Sequence, residues 1–189
     1  MAKQAKTFTS VELRRVLDYI ATRKHSARNR AMVLLTHWGG LRVGEVAQLR
    51  YSDVLDADGI VKREVLLRAE TTKGKHARTL FVSDKLHKEL TAYVQLITAS
   101  RADERLFYTQ KSEGFTANTL AQFFYFLYKN AGIANASSHS GRRTFITTLA
   151  DKGVGVRVLM SLAGHKSIST TQAYIDVNDG QKRKAVELL

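Results

Sequence analysis

The sequence predicts a mainly α-helical fold with one small antiparallel β-sheet, which places the chain in the α+β class. Apolar residues recur at helical spacing through most of the chain, whereas β-prone residues concentrate between Ile60 and Val82. The chain has 189 residues, of which 44% are hydrophobic, so it can bury a sizeable core. No apolar run approaches the roughly 20 residues that a membrane-spanning helix needs. We therefore expect one folded domain and no membrane insertion.

Three helices are predicted in the first quarter of the chain. Thr9 and Glu12 match a capping box, which indicates that a helix begins there. Its expected apolar stripe consists of Val11, Val16, Leu17 and Ile20. A second helix, over residues 28–38, is apolar on most sides and is therefore expected to be central. A third, short helix follows a pair of glycines and places Arg42 and Glu45 on one face.

The β-prone part of the sequence predicts a small sheet with a hairpin turn. Its β-prone stretches are Ile60–Val61, Val65–Leu67 and Thr79–Val82. The polar residues 72–76 supply the turn before the last stretch.

Two helices are predicted after the sheet. Ser83 or Asp84 caps the first, which is expected to run to about Ala99. Thr116 opens the second, and Gly132 ends it. The second helix contains the aromatic run 123–128, which could stack on bases but is expected to pack in the core instead.

The last part of the chain predicts a helix over 140–152 and a shorter one over 156–162, a spacing that is also typical of a helix-turn-helix. A recognition helix would need exposed polar side chains, and the apolar residues of the shorter helix are expected to be buried. These residues are Val156, Val158, Leu159, Met160 and Leu162. The amphipathic tail after Tyr174 is expected to pack either on its own domain or on a neighbouring subunit.

The charge of the chain indicates a polyanionic partner. Thirty Lys and Arg residues against 17 Asp and Glu give a formal net charge of +13. Nucleic acid is the commonest such partner and an anionic membrane is the alternative. The chain has no cysteine, which excludes disulfides and thiolate zinc sites and is typical of a reducing compartment.

Four residues near the end of the chain carry the chemistry that suits a phosphodiester: His139, Arg142, His165 and Tyr174. His139 and Arg142 are three residues apart, so a helix beginning near Ser140 would project both from one face of its first turn. An arginine fork can hold two phosphate oxygens at once. The hydroxyls of the Ser-Ile-Ser-Thr-Thr stretch can cap a short helix, which would deliver the phenol of Tyr174 to that phosphate.

This stretch closely resembles the tyrosine recombinase (phage integrase) family. Its second signature runs His-x-x-Arg, then Leu-Gly-His or Trp, then a Thr-Thr pair and the nucleophilic Tyr, and the four residues fall on those positions. Gly141 and Ala163 are small departures, and Gly141 leaves a missing side chain beneath the loop. The stretch Gly-Leu-Arg-x-Gly-Glu, which contains Arg42, resembles the first signature. Without the resemblance, Arg42 would be interpreted as a surface residue paired with Glu45.

The resemblance implies a role for each residue. Arg42 and Arg142 would clamp the scissile phosphate, and Glu45 would orient Arg42 from behind. His165 would donate to the developing oxyanion, Tyr174 would be the nucleophile and His139 would accept its proton.

The resemblance also assigns a catalytic lysine to the hairpin. Lys73 matches the family pattern Thr-Lys-Gly-Lys-x-x-Arg and would protonate the leaving 5′ oxygen, with Lys75 as the alternative. Lys75, Arg143 and Lys166 are candidate contacts to the DNA backbone. Because Glu45 is the only acid that matches a signature, we expect no metal and no other cofactor.

The family's fold is expected over nearly the whole chain. Residues 1–189 are expected to form a single catalytic domain with a core of about 9–176 and a tail of 177–189. No N-terminal core-binding domain is expected, as in the short fimbrial phase-variation recombinases, although the chain could equally be a fragment of a longer integrase. The expected location is the cytoplasm, in a protein of prokaryotic or mobile-element origin.

The resemblance implies double-stranded DNA as the partner, a homo-oligomer that is a tetramer at synapsis, and accessory DNA-bending proteins. The expected reaction is site-specific strand cleavage and rejoining through a 3′-phosphotyrosyl intermediate, without ATP. A DNA-binding regulator that does not cut, or a type IB topoisomerase, is the alternative. The sequence leaves open the target site, the choice among integration, excision and inversion, and whether Tyr174 cuts in cis or in trans.

Overall fold

The computed structural model describes residues 5–71, 76–97, 104–109, 113–175, 182, 186 and 187. In this part of the chain, the α+β prediction is confirmed, because the structure consists of helices and a single two-stranded antiparallel sheet. The helices are α1 (Ser10–Ala21), α2 (Ser26–Trp38), α3 (Val43–Gln48), α4 (Tyr51–Val54), α5 (Asp84–Gln95), α6 (Ala117–Asn130), α7 (Ser140–Asp151), α8 (Val156–Ala163) and α9 (Ile168–Gln172). The strands are β1 (Glu64–Leu67) and β2 (Arg78–Phe81), with a 3-10 turn at Ala69–Thr71 between them.

The predicted capping box begins α1. The Thr9 hydroxyl accepts from the backbone N–H of Glu12, and the Glu12 carboxylate accepts from the backbone N–H of Thr9. The predicted apolar stripe was wrong at Val11, which is 66% exposed, because Leu13 takes the buried position in that turn.

Helix α2 is central, as predicted, and begins two residues earlier than expected. It packs against α1, α5 and α7, and its residues 31–36 are all buried. Its closest approach is to α7, where a Cβ on Gly141 would lie 2.3 Å from the Thr36 hydroxyl oxygen. The missing side chain at Gly141 therefore leaves no void, because its absence lets the two helices close against each other.

The sheet is smaller than the β-prone sequence predicted. β1 and β2 pair antiparallel with Val65 opposite Leu80, and these two side chains face the core. The stretch Ile60–Val61 was wrongly predicted to be part of the sheet, because Val61 forms only an isolated bridge with Leu55. The predicted turn residues 72–75 lie outside the described residues.

Helices α5 and α6 begin at their predicted caps, Ser83 and Thr116. Helix α5 ends at Gln95, and Ala99, its predicted end, lies outside the described residues. The aromatic run of α6 divides between two environments. Phe124 and Tyr128 are fully buried, as predicted, whereas Tyr125 and Phe126 are more than half exposed, because the run turns around the helix.

Helices α7, α8 and α9 pack in sequence at the end of the described chain. The prediction of an entirely buried α8 was wrong, because only its Leu159 and Ala163 sides face the core, and Val158 is 54% exposed. Ser167 caps α9 as its hydroxyl accepts from the backbone N–H of Ser169. Most of the predicted tail lies outside the described residues. In the described part of the chain, every helix is too short or too polar to span a bilayer.

Candidate functional site: an arginine cluster beside Tyr174

Arg42 is held at the start of α3 by Glu45, one turn further along the helix. The Glu45 carboxylate accepts the backbone N–H of Arg42 at 2.7 Å and its Nη1 at 3.0 Å. Glu45 is 2% exposed, whereas the Arg42 side chain is 23% exposed. The buried acid thus fixes the base of a guanidinium whose outer side remains accessible.

A second arginine, Arg78, shares the Glu45 carboxylate with Arg42. Arg78 begins β2, and its Nη2 donates to Glu45 Oε2 at 2.7 Å. Its side chain is 8% exposed. Arg78 is the residue that ends the pattern Thr-Lys-Gly-Lys-x-x-Arg, yet the sequence alone predicted no role for it.

The environment of Glu45 keeps its carboxyl ionised. Burial alone would raise the pKa of Glu45. The charge and hydrogen bond of Arg78 and the backbone N–H of Arg42 outweigh burial, and the pKa is lower than its usual value. Glu45 therefore acts as a fixed anion between two cations.

Arg142, on the first turn of α7, is 6% exposed. Its Nη1 donates to the carbonyl of Gly40 at 2.6 Å, and its Nη2 donates to the carbonyl of Ala163. Burial, and then the charge of Arg42, lowers the pKa of Arg142 to about 9. The guanidinium is thus anchored on two different segments and remains a cation at neutral pH.

The three arginines meet at the carboxyl end of α8. Arg78 Nη1 donates to the carbonyl of Leu162 at 2.8 Å, Arg142 Nη2 to that of Ala163, and Arg42 Nη2 to that of Gly164 at 3.0 Å. The last carbonyls of a helix lack partners within it and carry its negative dipole end. Three guanidinium groups from α3, β2 and α7 satisfy these carbonyls in turn.

Gly164 is required where the arginines meet. It caps α8 in the left-handed conformation, with φ of 61°. A Cβ on it would lie 2.5 Å from Cδ of Arg78 and 3.8 Å from Nη1 of Arg42. Both the backbone conformation and the packing of Arg78 therefore demand glycine.

His165 follows directly and is oriented by α9. Its Nδ1 lies 2.9 Å from the hydroxyl oxygen of Thr171, which is completely buried. Partial burial and the charges of Arg142 and Arg42 lower the pKa of His165 to about 4. The imidazole is therefore neutral at pH 7, and a hydroxyl donating to Nδ1 would leave the proton on Nε2.

Tyr174 lies against His165 and is partly exposed. The two rings are stacked, with centroids 5.7 Å apart and planes inclined by 23°. The guanidinium carbon of Arg143 lies 5.3 Å from the centroid of the Tyr174 ring. The phenol is thus bordered by an imidazole and a cation, and it also interacts electrostatically with Arg142.

A cleft of about 450 Å³ opens over this cluster. Its lining residues are Arg42, His76, Ala77, Arg78, Gly164, His165 and Lys166. Lys166 is exposed at the rim. Such a basic concave surface attracts an anion and can bring it against the exposed side of Arg42.

The structure thus brings together Arg42, Glu45, Arg142, His165 and Tyr174 from distant parts of the sequence. His139, the N-cap residue of α7, is exposed, whereas Arg142 on the first turn is buried. That both side chains project from one helical face stays a prediction. Lys73 and Lys75 lie outside the described residues.

Within the described ranges, no group of three or more His, Cys, Asp or Glu side chains is arranged to hold a metal ion. Glu45, the acid of the cluster, is already bonded to Arg42 and Arg78. The chemistry that the described site offers is therefore that of cations, a neutral imidazole and a phenol.

Comparison with known proteins agrees with this geometry. Residues 6–181 match the family described as the phage integrase family. Tyrosine recombinase XerA of Thermococcus kodakarensis is 34% identical over 189 residues, which cover 96% of this chain and 62% of that protein. Tyrosine recombinase XerD of Oceanobacillus iheyensis is 30% identical over 172 residues, covering 88% of this chain and 56% of that protein. The chain thus spans about three fifths of the length of these relatives.

Solved structures share the fold. The crystal structure of XerA recombinase superposes with a TM-score of 0.78 at 25% identity, covering 100% of this chain and 65% of that one. The Tn1549 transposon integrase in complex with a circular intermediate DNA gives a TM-score of 0.80 at 19% identity, covering 100% of this chain and 67% of that one. At that identity the second likeness concerns the fold alone.

Proposed function

Because the chain belongs to the phage integrase family of tyrosine recombinases, we propose that it cleaves and rejoins DNA strands at a specific site through a 3′-phosphotyrosyl intermediate. The observation that carries this proposal is the stacking of Tyr174 on His165 beside the arginine cluster. In this proposal, residues 9–176 form the catalytic core.

Arg42 and Arg142 bind the scissile phosphate. Attack on a phosphodiester builds negative charge on the non-bridging oxygens, and preorganised cations stabilise that charge without having to move. Both guanidinium groups are already fixed by backbone carbonyls of the α8 end. Arg42 offers its exposed side to the cleft, and Arg142 supplies charge from beneath it.

His165 donates a hydrogen bond from Nε2 to one of these oxygens. Its neutral form suits this role because the Thr171 hydroxyl can occupy Nδ1. The low pKa of about 4 keeps the imidazole neutral across the neutral pH range.

Tyr174 supplies the nucleophile. Its phenol oxygen attacks the phosphorus and forms the 3′-phosphotyrosyl bond, while the bond to the 5′ oxygen breaks. The proton of the phenol passes to a base, for which His139 at the start of α7 is our candidate. The 5′ oxygen takes a proton from Lys73, or from Lys75 as the alternative.

Rejoining reverses these steps. The 5′ hydroxyl of a second strand attacks the phosphotyrosine, and the phenol leaves with a proton returned to it. One phosphodiester is exchanged for another, so no ATP is consumed. Lys166 and Arg143, together with Lys75, contact neighbouring backbone phosphates, and double-stranded DNA is the substrate. Exchange between two duplexes involves four copies of the chain in a synaptic tetramer.

A selection for covalent adducts tests the proposal without a known target site. The full chain is incubated with nicked duplexes whose centre is randomised, because the nick lets the short cleaved strand diffuse away and traps the intermediate. Protein-linked DNA is recovered under denaturing conditions and sequenced, and Tyr174→Phe is the matched control. We expect an adduct with wild-type protein only, with the bound 3′ phosphate mapped to Tyr174 and one sequence enriched.

Two other outcomes would overturn the proposal. If both proteins enrich the same DNA sequence by binding but neither forms an adduct, the chain is a DNA-binding regulator. If the adduct forms without sequence enrichment and supercoiled plasmid is relaxed without strand exchange, the activity is that of a type IB topoisomerase.

A further inference from the structure

We propose that Arg78 is a positioning residue of this site, which holds Glu45 and the end of α8 so that Arg42 and His165 face the same phosphate. The proposal rests on the function proposed above and adds a residue to its machinery. Arg78 itself is almost buried and donates only to protein groups in the described contacts. It acts through its neighbours rather than on DNA.

Arg78 shares the Glu45 carboxylate with Arg42. Both arginines use the two oxygens of the Glu45 carboxylate. Arg42 donates to Oε1 from Nη1 at 3.0 Å and to Oε2 from its backbone N–H at 2.7 Å. Arg78 donates to Oε2 from Nη2 at 2.7 Å and to Oε1 from Nε at 3.4 Å. Without Arg78, Oε2 would keep only the backbone N–H of Arg42 and could accept a second bond from the Arg42 fork, which favours bidentate pairing with a carboxylate. Such pairing would turn Arg42 away from Gly164 and from the cleft.

Arg78 also holds the carboxyl end of α8. Arg78 Nη1 donates to the carbonyl of Leu162, two residues before Gly164. That contact fixes the carbonyl next to the one that Arg142 binds, and His165 follows one residue after Gly164. A displacement at Leu162 would therefore propagate to an arginine anchor and to the imidazole together.

The shape of the Arg78 side chain suits both contacts. Arg78 must reach a carboxylate on α3 and a carbonyl on α8 from one strand, with Nη2 and Nη1 respectively. A planar fork spans two acceptors, whereas the single nitrogen of lysine cannot hold the same pair at the same geometry. Charge alone therefore does not replace Arg78.

The experiment compares Arg78→Lys and Arg78→Ala with the wild type. The matched controls are Arg30→Lys and Arg30→Ala. Arg30 also makes a bidentate pair, with Glu89, in which both N–O distances are 2.6 Å, and this pair is not part of the site. Single-turnover cleavage of the selected nicked duplex and its dissociation constant are measured for each protein. Solvent exchange of the Arg42 guanidinium protons is followed by NMR in the free protein, and thermal melts confirm folding.

We expect Arg78→Lys to bind the duplex as the wild type does but to cleave on the order of 10²-fold more slowly, as a small misplacement of reacting groups does. Arg42 proton exchange should become faster in Arg78→Lys and stay unchanged in both Arg30 variants. Equal cleavage by Arg78→Lys and wild type would overturn the proposal, as would a loss matched by Arg30→Lys.

The NMR measurement separates this proposal from the proposed function. If the wild type forms no adduct, the recombinase assignment fails, yet Arg42 exchange still decides whether Arg78 positions Arg42. Unchanged exchange in folded Arg78→Lys would overturn the positioning role whatever the enzyme does. If Arg78→Ala does not fold, Arg78→Lys carries the test.

Discussion

The imidazole of His165 lies almost parallel to the phenol ring of Tyr174, with ring centroids 5.7 Å apart. The Thr171 hydroxyl forms a hydrogen bond with Nδ1 on the edge of the imidazole. These two contacts fix the imidazole against the ring of the proposed nucleophile, and in the proposed mechanism His165 donates to the phosphate that Tyr174 attacks.

Removing this imidazole should slow cleavage without weakening DNA binding. We expect His165→Ala to lower the single-turnover cleavage rate by on the order of 10²- to 10³-fold, the usual cost of losing one oxyanion donor. The matched control is His87→Gln, whose imidazole contacts the carbonyl of Val61 outside the site. The role of His165 would be contradicted if His165→Ala cleaved as fast as His87→Gln.

The protonation of His37 should make stability depend on pH. Burial, and then the charge of Lys85, lowers the pKa of His37 to about 4 from an ordinary 6.5. Between about pH 4 and pH 6.5, the unfolded chain therefore binds a proton at His37 that the folded chain does not bind. Stability is complete above about pH 6.5 and falls as the pH drops towards 4.

Between about pH 7 and pH 5, His37 should cost about 1 to 2 kcal/mol of unfolding free energy. His37→Gln should lose less stability than the wild type over this interval by that amount, as measured by urea denaturation at both pH values. His165 acts in the same direction in both proteins and cancels in the comparison. Identical losses in the two proteins would show that His37 does not titrate with a depressed pKa.

Two left-handed glycines separate a backbone effect from an effect on the site. Gly164→Ala and Gly153→Ala both place a side chain at positive φ, which costs about 1 to 2 kcal/mol. A Cβ at Gly153 meets no atom within 4 Å, whereas one at Gly164 would collide with Arg78. We expect both variants to be less stable in urea, and only Gly164→Ala to cleave more slowly. Equal cleavage by both would mean that the collision is relieved without disturbing the arginines.

Replacing Arg142 with lysine should affect both stability and activity. Lysine cannot donate to the carbonyls of Gly40 and Ala163 with the arginine geometry. A lost hydrogen bond to a charged group costs about 1.5 to 3 kcal/mol, which urea denaturation would detect. We also expect a cleavage rate lower by on the order of 10²-fold. A variant as stable and as active as the wild type would show that the charge of Arg142 matters and its fork does not.

Cleavage should persist in EDTA. The described site offers arginines, an imidazole and a phenol, and its acid, Glu45, is bonded to Arg42 and Arg78. We expect the same adduct yield from wild-type protein with EDTA and with Mg²⁺, measured on the nicked duplex. Complete dependence on Mg²⁺ would contradict the proposed mechanism.

Sequence patterns located the elements that depend on local chemistry. The capping box of Thr9 and Glu12 and the cap at Thr116 were predicted because these side chains act within one turn. Arg42 with Glu45 was visible for the same reason, as a pair three residues apart. The meeting of Arg42 with the segment around His165 came from the family resemblance, since nothing local to either segment indicates it.

The remaining features depend on tertiary contacts. Arg78 was missed because its partners, Glu45 and Leu162, are 33 and 84 residues away in the sequence. The missing side chain at Gly141 was interpreted as a gap because Thr36, which fills that space, belongs to another helix. Helical periodicity gave α7 correctly but did not show that Arg142 would be buried against the carbonyls of Gly40 and Ala163, which belong to other segments.

The carbonyls at the end of α8 draw their partners from segments 122, 84 and 21 residues away. Neither a nascent polypeptide nor a partly melted one contains this assembly, because it needs α3, β2 and α7 in place at once. The proposed cleavage site therefore forms only with the finished tertiary structure. Under this proposal, a chain that has not finished folding would not cleave DNA.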